Sequence, residues 1–355
     1  MKRKHLATLV IIVLVLAALV YLQVREWRRF DWATFKENIS DIDWSQILVG
    51  VALIHLADFL RAIRWKIFLR PTSPQTSWKS LVAPQYVGFA GLALLGRPGE
   101  LIRPYLISVR AKTAFSSQMA LWFVERAFDT GAVALVLAID LFTIPQIRRD
   151  YSELNKFGYA GIALLVTLLF LWYSLWKQGP TIADWLASRI QGISASLAED
   201  VRHKIVSASR GLHAIHDMRS FLQATGISFV IWLIVALAYR QVMHAFSPNT
   251  GLSDFGLPQG IILMGSSVVG GVLQLPFIGG GAQVATTFIL INSFDIQPEA
   301  AAAASVMFWL VMFMSVAPLG LILARFEHVS IRKLTQQSET EAHREDVADH
   351  TSEPA

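Results

Sequence analysis

The sequence predicts an all-α polytopic membrane protein with about six spanning helices plus two broken re-entrant helical hairpins entered from opposite sides. Three observations carry that expectation. The 355-residue chain is 54% hydrophobic and only 16% charged, with a mean hydropathy of +0.47, well away from soluble globular averages. Apolar runs near the roughly 20 residues that cross a bilayer as helix recur along it. Two more apolar regions, about 81–110 and 257–294, are broken by glycine and proline, the first also by charged residues. The chain has no cysteine, which excludes disulfides, thiol catalysis, cysteine-ligated metals and lipidation at Cys.

The first candidate span is "LATLVIIVLVLAALVYLQV" (Leu6 to Val24), behind "MKRKH". A cleaved signal peptide is the alternative, but the run leads into Arg25, Glu26, Trp27, Arg28 and Arg29 with no small-residue cleavage motif, so a retained anchor is expected. Further spans are expected at Ile47 to Leu69, Ser117 to Ile144, Phe157 to Trp176, Phe221 to Phe246 and Ala300 to Arg325. Lysine and arginine placement orients them. Lys2, Arg3, Lys4, Arg70, Lys79 and the bases of residues 177–220 belong in the cytoplasm, and "SPNTGLSDFGLP", which has no base, belongs outside. Arg25, Arg28, Arg29 and Lys36 run against this scheme. With both interrupted regions returning to the side they enter, both termini are cytoplasmic, and a bacterial-type cytoplasmic (inner) membrane is the expected location.

The expected organisation is an N-terminal membrane half (1–176), a cytoplasmic amphipathic segment (177–220), a C-terminal membrane half (221–325) and a disordered acidic tail (326–355). Asp31 to Gln46 mixes Trp32, Phe35, Ile39, Ile42 and Trp44 with acids, which suits an interfacial segment with tryptophan anchors. His203, His213 and His216 have no carboxylate shell that would make a metal set, and no cofactor is expected. No nucleotide-binding loop is present, which argues against direct ATP use.

The stretch "GRPGELIRPYL" (96–106) interrupts the first broken region. Backbone inside a bilayer must satisfy its own hydrogen bonds, so a break is tolerated only where protein or water surrounds it. Pro98 suits the first position of a new helix, where its missing N–H costs nothing. Glu100 then falls in the first turn, where the helix dipole favours an anion. Arg97 and Arg103 flank it, and Pro104 is expected to interrupt the helix again. Helix N-termini attract anions, and broken helices are where transporters commonly bind substrate. The second break lies at Pro276 and Gly279, Gly280 and Gly281. Glycine allows a sharp turn there; close packing of small residues between helices is an equally simple explanation.

Charges inside the spans form a second candidate group, because intramembrane ionisable residues face a bundle interior or a wet cavity. Glu125 and Asp129 are i, i+4 on one face, with Arg126 three before Asp129. They either form an internal ion pair that lets the helix enter the bilayer or contact substrate and protons. His55, Asp58, Arg61 and Arg64 step every three residues. Asp58 and Arg61 are expected to neutralise each other, with Arg61 a candidate site residue, and Arg64 to snorkel with Trp65 to the interface.

"GRPGELIRPYL", followed by "VERAFD" (Val124 to Asp129) and the Pro/Gly break in the last third, resembles the flippase-like transmembrane region of the lysylphosphatidylglycerol synthase family over roughly residues 5–330. The resemblance implicates Gly96, Arg97, Gly99, Glu100, Arg103, Glu125, Arg126, Asp129, Pro276 and the glycines after it. Many members carry a glutamate after the last glycine motif, where this chain offers Gln283. A short tail in place of the synthases' aminoacyl-transferring domain implies lipid translocation and not synthesis. The expected partners are membrane lipids with a phospholipid or polyprenyl-linked headgroup, with no nucleic acid. Two alternatives stay open: a membrane glycosyl or acyl transferase using Glu100, Glu125 and Asp129, and a scaffold that needs none of the buried charges.

Overall fold

The computed structural model describes residues 30–143, 155–192, 194, 196–199, 201–202, 205–206, 217–271, 274–275 and 279–326. The expected anchor at Leu6 to Val24, the histidines at 203, 213 and 216, Pro276 and the tail beyond Phe326 lie outside the described residues. What is described is helical apart from two two-residue strands. In chain order the elements are α1 (Trp32–Ser40), α2 (Trp44–Leu69), α3 (Trp78–Leu95), a 3₁₀ turn (Arg97–Leu101), α4 (Ile102–Ala111), α5 (Phe115–Thr143) and α6 (Asn155–Ile190). Then come α7 (Met218–His244), α8 (Leu257–Gly270), β1 (Gln274–Leu275), β2 (Gly279–Gly280), α9 (Gly281–Asn292), α10 (Pro298–Trp309), a π turn (Leu310–Met314) and α11 (Val316–Phe326).

Among the described residues, α2, α7 and the continuous stretch Pro298–Phe326 are long and apolar enough to cross a membrane. This is a membrane protein, and its exposed Leu48, Val230, Leu237, Leu321 and Ile322 are where lipid-facing apolar side chains belong. α5 has the length of a span but carries Glu125, Arg126, Asp129 and Asp140. Residues 177–190 follow a break in helical geometry at the point where the sequence pattern expects a new segment to begin. They continue α6 across a kink at Gln178 (φ −132°, ψ 23°), two residues before Pro180, whose ring cannot follow a regular preceding turn.

Local chemistry starts the helices where it should. Asp31 caps α1 by accepting from the Ala33 and Thr34 N–H groups (2.9 and 3.2 Å); Asp43 caps α2 through Ser45 (2.9 Å); Asp217 caps α7 through Ser220 (3.0 Å). Bonding to Ser220 holds the Asp217 carboxyl below its ordinary range. Trp32 and Trp44 stay exposed beside these caps, as the interfacial reading of that segment expects.

α2 and α7 form the antiparallel centre. Arg70 at the end of α2 donates to Gln223 near the start of α7 (2.7 Å), and the Asp43 N–H at the other end donates to the Ala245 carbonyl (2.8 Å). Two helix–break–helix pairs pack on this centre from opposite ends. In the first, α3 and α4 both open toward the end of α2: Arg110 donates to the Ser80 carbonyl (3.2 Å) and Ser73 to the Ala111 carbonyl (3.2 Å). In the second, α8 and α9 open toward the end of α7, where Phe255 and Phe294 meet edge-on (centroids 5.0 Å apart) and His244 Nε2 bonds the Phe255 carbonyl (2.8 Å).

Glycines make both breaks possible. Gly96 ends α3 at φ 69°, a conformation that side chains with a Cβ rarely adopt. A Cβ on Gly99 would collide with the backbone carbonyl of Gly91 across the first pair, and a Cβ on Gly270 with that of Gly281 across the second. Close packing and the sharp turn, alternatives from sequence, thus occur together. Gly280 turns at φ 105° and pairs with Gln274, Gly279 with Leu275, closing a small antiparallel tip. Pro104 does not interrupt α4: it is the third residue of that helix, within the first turn where no N–H is needed.

Gly99→Ala should therefore destabilise the fold by about 1–3 kcal/mol through overpacking. Gly226→Ala in α7, where a Cβ meets nothing within 4 Å, should be neutral or slightly stabilising. Thermal unfolding of the two variants in detergent checks this; equal midpoints would contradict the close-approach account.

Candidate functional site

Where α2, α4, α5 and α7 meet, the charges form one connected buried cluster. Arg64, fully buried, donates to Asp129 (2.6 Å), Glu125 (2.7 Å) and the Ser228 hydroxyl (2.6 Å). It does not snorkel to the interface, because Trp65, Phe68, Leu81, Ile107 and Leu121 wall off that end of α2. Glu125 also receives Arg103, which contacts both carboxylate oxygens and donates to Gln85 (3.1 Å). The Arg103 guanidinium lies 4.5 Å from the Trp65 ring centroid, and the Trp65 indole N–H donates to Gln118 (3.1 Å). Asp129 accepts in addition from the Trp232 indole (3.1 Å). A guanidinium fork satisfied by carboxylates on two sides is the arrangement that makes a buried charge tolerable.

The partners differ from those the i, i+3 spacing suggests. Glu125 and Asp129 do share a face, but they pair with Arg64 and Arg103 from other helices. Arg126 reaches only 3.9 Å from Glu125, and its side chain is 38% exposed. The Arg61–Asp58 pair forms as expected, at 2.7 Å, with Arg61 lying 5.2 Å from the Phe89 ring centroid and 5.8 Å from that of Trp232.

Beside the cluster is a small, partly open cleft lined by Gly88, Phe89, Leu92, Glu100, Arg103, Trp122 and Arg126. Two donors belonging to its lining residues, Arg126 Nε and the Trp122 indole nitrogen, are buried atoms that find no partner among the described residues. The Arg126 guanidinium lies 5.6 Å from the Trp122 ring centroid. Buried donors are nearly always satisfied, so two unsatisfied ones on one pocket, one of them cationic, fit an anionic ligand rich in acceptor oxygens. Glu100, buried in the 3₁₀ turn, brings a carboxylate to the same pocket.

The remaining expected residues fall elsewhere. Arg97 opens the 3₁₀ turn, and its side chain lies outside the described residues. Gly279, Gly280 and Gly281 form the second tip, and Gln283 accepts from the Gly280 N–H (3.1 Å), a helix-start role that Gln259 repeats at Gly256 (3.0 Å). Among the described residues no hydrogen bond or ion pair joins this tip to the arginine cluster. Gln85, Trp122, Ser228 and Trp232 are site residues that spacing does not single out, although Ser228 gives a signal as a hydroxyl within the apolar α7; Arg64, one of the charges stepping along α2, is found in the cluster and not at the interface. Among the described residues no group of three metal-ligating side chains forms.

A helical membrane protein with broken helices packed around a buried arginine–carboxylate cluster is the class that fold and site define. Residues 6–320 match the family described as the lysylphosphatidylglycerol synthase TM region, and the chain belongs to that family. No curated protein and no solved structure matches it.

Removing a carboxylate from this cluster strands a buried arginine, which typically costs about 3–5 kcal/mol. Glu125→Gln, which touches two arginines, should lower the melting temperature far more than Arg126→Gln, whose guanidinium is partly exposed and makes one long contact. Similar losses for the two variants would show that the cluster is not the structural centre.

Proposed function

We propose that this chain is a flippase-like lipid transporter that translocates an anionic or phosphate-bearing lipid, or a lipid-linked precursor, without changing its covalent structure. The observation that carries the reading is the pair of unpartnered donors, Arg126 Nε and Trp122 Nε1, on a pocket at the broken first helix pair. Glu125 and Asp129 are occupied in holding Arg64 and Arg103, which suits a frame that positions cations. The membrane relationship of the family to lipid modification or transport supports the substrate class.

In this reading both helix pairs are re-entrant hairpins, the first entered from the cytoplasm and the second from outside, in a bacterial-type inner membrane with both termini cytoplasmic. The headgroup phosphate sits against Arg126 and Trp122, with Arg103 and Glu100 around it, while the acyl or prenyl tails remain in lipid. Arg103 then serves chiefly to close the pocket wall, since its fork is already engaged by Glu125 and Gln85. Arg61 lies across the Phe89 ring from this wall.

The test is retention of phosphatidylglycerol by purified full-length protein, followed by native mass spectrometry. One charge-assisted contact is worth about 1.5–3 kcal/mol, so Arg126→Gln should weaken retention by about ten- to a hundred-fold with the fold intact. Arg126→Lys should restore it only in part, because the planar fork is lost. Unchanged retention in Arg126→Gln would remove the pocket as the headgroup site. For the topology, Lys79→Cys and Ala114→Cys at the open end of the first pair should both be labelled from the cytoplasmic side. Labelling from opposite sides would make that pair a span.

A further inference from the structure

His55 and Asp58 on α2 lie outside the pocket and are used by nothing so far described. Each stands 11 residues from one end of that 26-residue span, roughly 16 Å at 1.5 Å per residue and so near mid-bilayer. Asp58 is 1% exposed; one carboxylate oxygen takes Arg61, and the other, buried, has no partner among the described residues. One turn away, His55 stacks on Tyr86 of α3 with ring centroids 5.5 Å apart. The Tyr86 hydroxyl donates to the His55 carbonyl (3.1 Å) and lies 3.2 Å from His55 Nδ1. A phenol has one proton, and the carbonyl takes it. The imidazole Nδ1–H is therefore the donor to the phenolic oxygen, which leaves the Nε2 lone pair open on a half-buried ring.

A carboxylate oxygen without a partner and an imidazole nitrogen with an open lone pair, one helical turn apart in low dielectric, make a place for a proton. The surrounding charges agree. The charges that act on Asp58 are those of Arg61, His55 once protonated, and Arg103, and Asp129 of α5 acts on Arg61. α3 adds Tyr86; α7 has no titratable side chain between Arg219 and Tyr239, and the π turn Leu310–Met314 has none. A metal cation would be repelled by the two arginines, whereas a proton needs only a single oxygen.

We infer that His55 and Asp58 form a proton-binding site in the middle of the membrane, and that loading it frees Arg61 toward the anion pocket. The proton passes from water to His55 Nε2 and then to the open Asp58 oxygen, forming one O–H bond. The neutral acid holds Arg61 less tightly than the carboxylate does. Arg61 and Arg103 both stack on Phe89, a pocket wall (5.2 and 5.7 Å), so a released Arg61 adds positive charge beside the pocket. Proton uptake and anion binding then favour each other, as linkage requires. This second step rests on the lipid-transport reading; the proton site does not.

The test is infrared difference spectroscopy against pH on the full chain in phosphatidylglycerol liposomes. The wild type should show a protonated-carboxyl band that grows from neutral to mildly acid pH, is lost in Asp58→Asn, persists in Asp140→Asn and shifts its midpoint in His55→Gln. Because Asp58→Asn strands Arg61, the double variant Asp58→Asn/Arg61→Gln provides a second chain that should fold and lack the band. A band that survives in both Asp58 variants when each also carries Asp140→Asn, or a midpoint unmoved in His55→Gln, overturns the site. In parallel, phosphatidylglycerol binding should tighten as pH falls in the wild type, with its midpoint shifted in His55→Gln; a flat wild type overturns the link to Arg61. If the wild type binds no phosphatidylglycerol at any pH, the lipid reading fails, and the band still decides the proton site by itself.

Discussion

A guanidinium buried in a membrane protein must be matched by charge and hydrogen bonds, and Arg64 is the residue on which that constraint falls hardest. Its side chain has no exposure. Glu125 and Asp129 from α5, with Ser228 from α7, accept from its two terminal nitrogens, while Nε finds no partner among the described residues. Because Glu125 also holds Arg103 from α4, one carboxylate fixes the central helix, the first helix pair and α5 to each other. A displaced charge here is far costlier than a displaced methyl group, so the geometry of the pocket follows from the cluster.

The breaks in the helices exist for the same reason. Arg103 can reach Glu125 only because α3 stops at Gly96 and the chain folds back so closely that Gly88 lies against the Arg103 side chain and Gly99 against Gly91. At the second tip, Gly280 and Gln283 perform the same kind of turn with backbone and amide groups alone. The two pairs share a glycine at the turn, Gly96 in the first and Gly280 in the second. They differ in chemistry: the second starts its helices with Gln259 and Gln283 accepting from the Gly256 and Gly280 N–H groups, whereas the first is anchored by the Arg103–Glu125 ion pair.

Much of this was legible in the sequence. The two interruptions stand out because glycine and proline have no reason to break an apolar run unless the backbone turns there, and the Asp58–Arg61 pair follows from helical spacing on one element. What spacing could not give is pairing between elements. Arg64 and Asp129 are 65 residues apart in the chain, and nothing local distinguishes Arg64 from an arginine that snorkels past a neighbouring tryptophan. Arg126 seemed the natural partner of Asp129 at i, i+3, yet the helix turns it toward the pocket and leaves it nearly unpaired. Pro104 looked like a second break because a proline's effect depends on whether it falls in a helix's first turn, which only the start of α4 decides. The family resemblance, now supported over residues 6–320, implicates Arg103, Glu125, Arg126 and Asp129 among its site residues, and the fold brings these four close together.

The central claim is that a rigid ionic frame presents Arg126 and Trp122 to a lipid headgroup that moves and is not chemically altered. The most direct measurement places purified protein in liposomes carrying labelled phosphatidylglycerol and follows leaflet distribution and chemical identity together over time. The account predicts protein-dependent redistribution of a chemically unchanged lipid. Appearance of an altered lipid with no change in its leaflet distribution would contradict it and point to an enzyme instead.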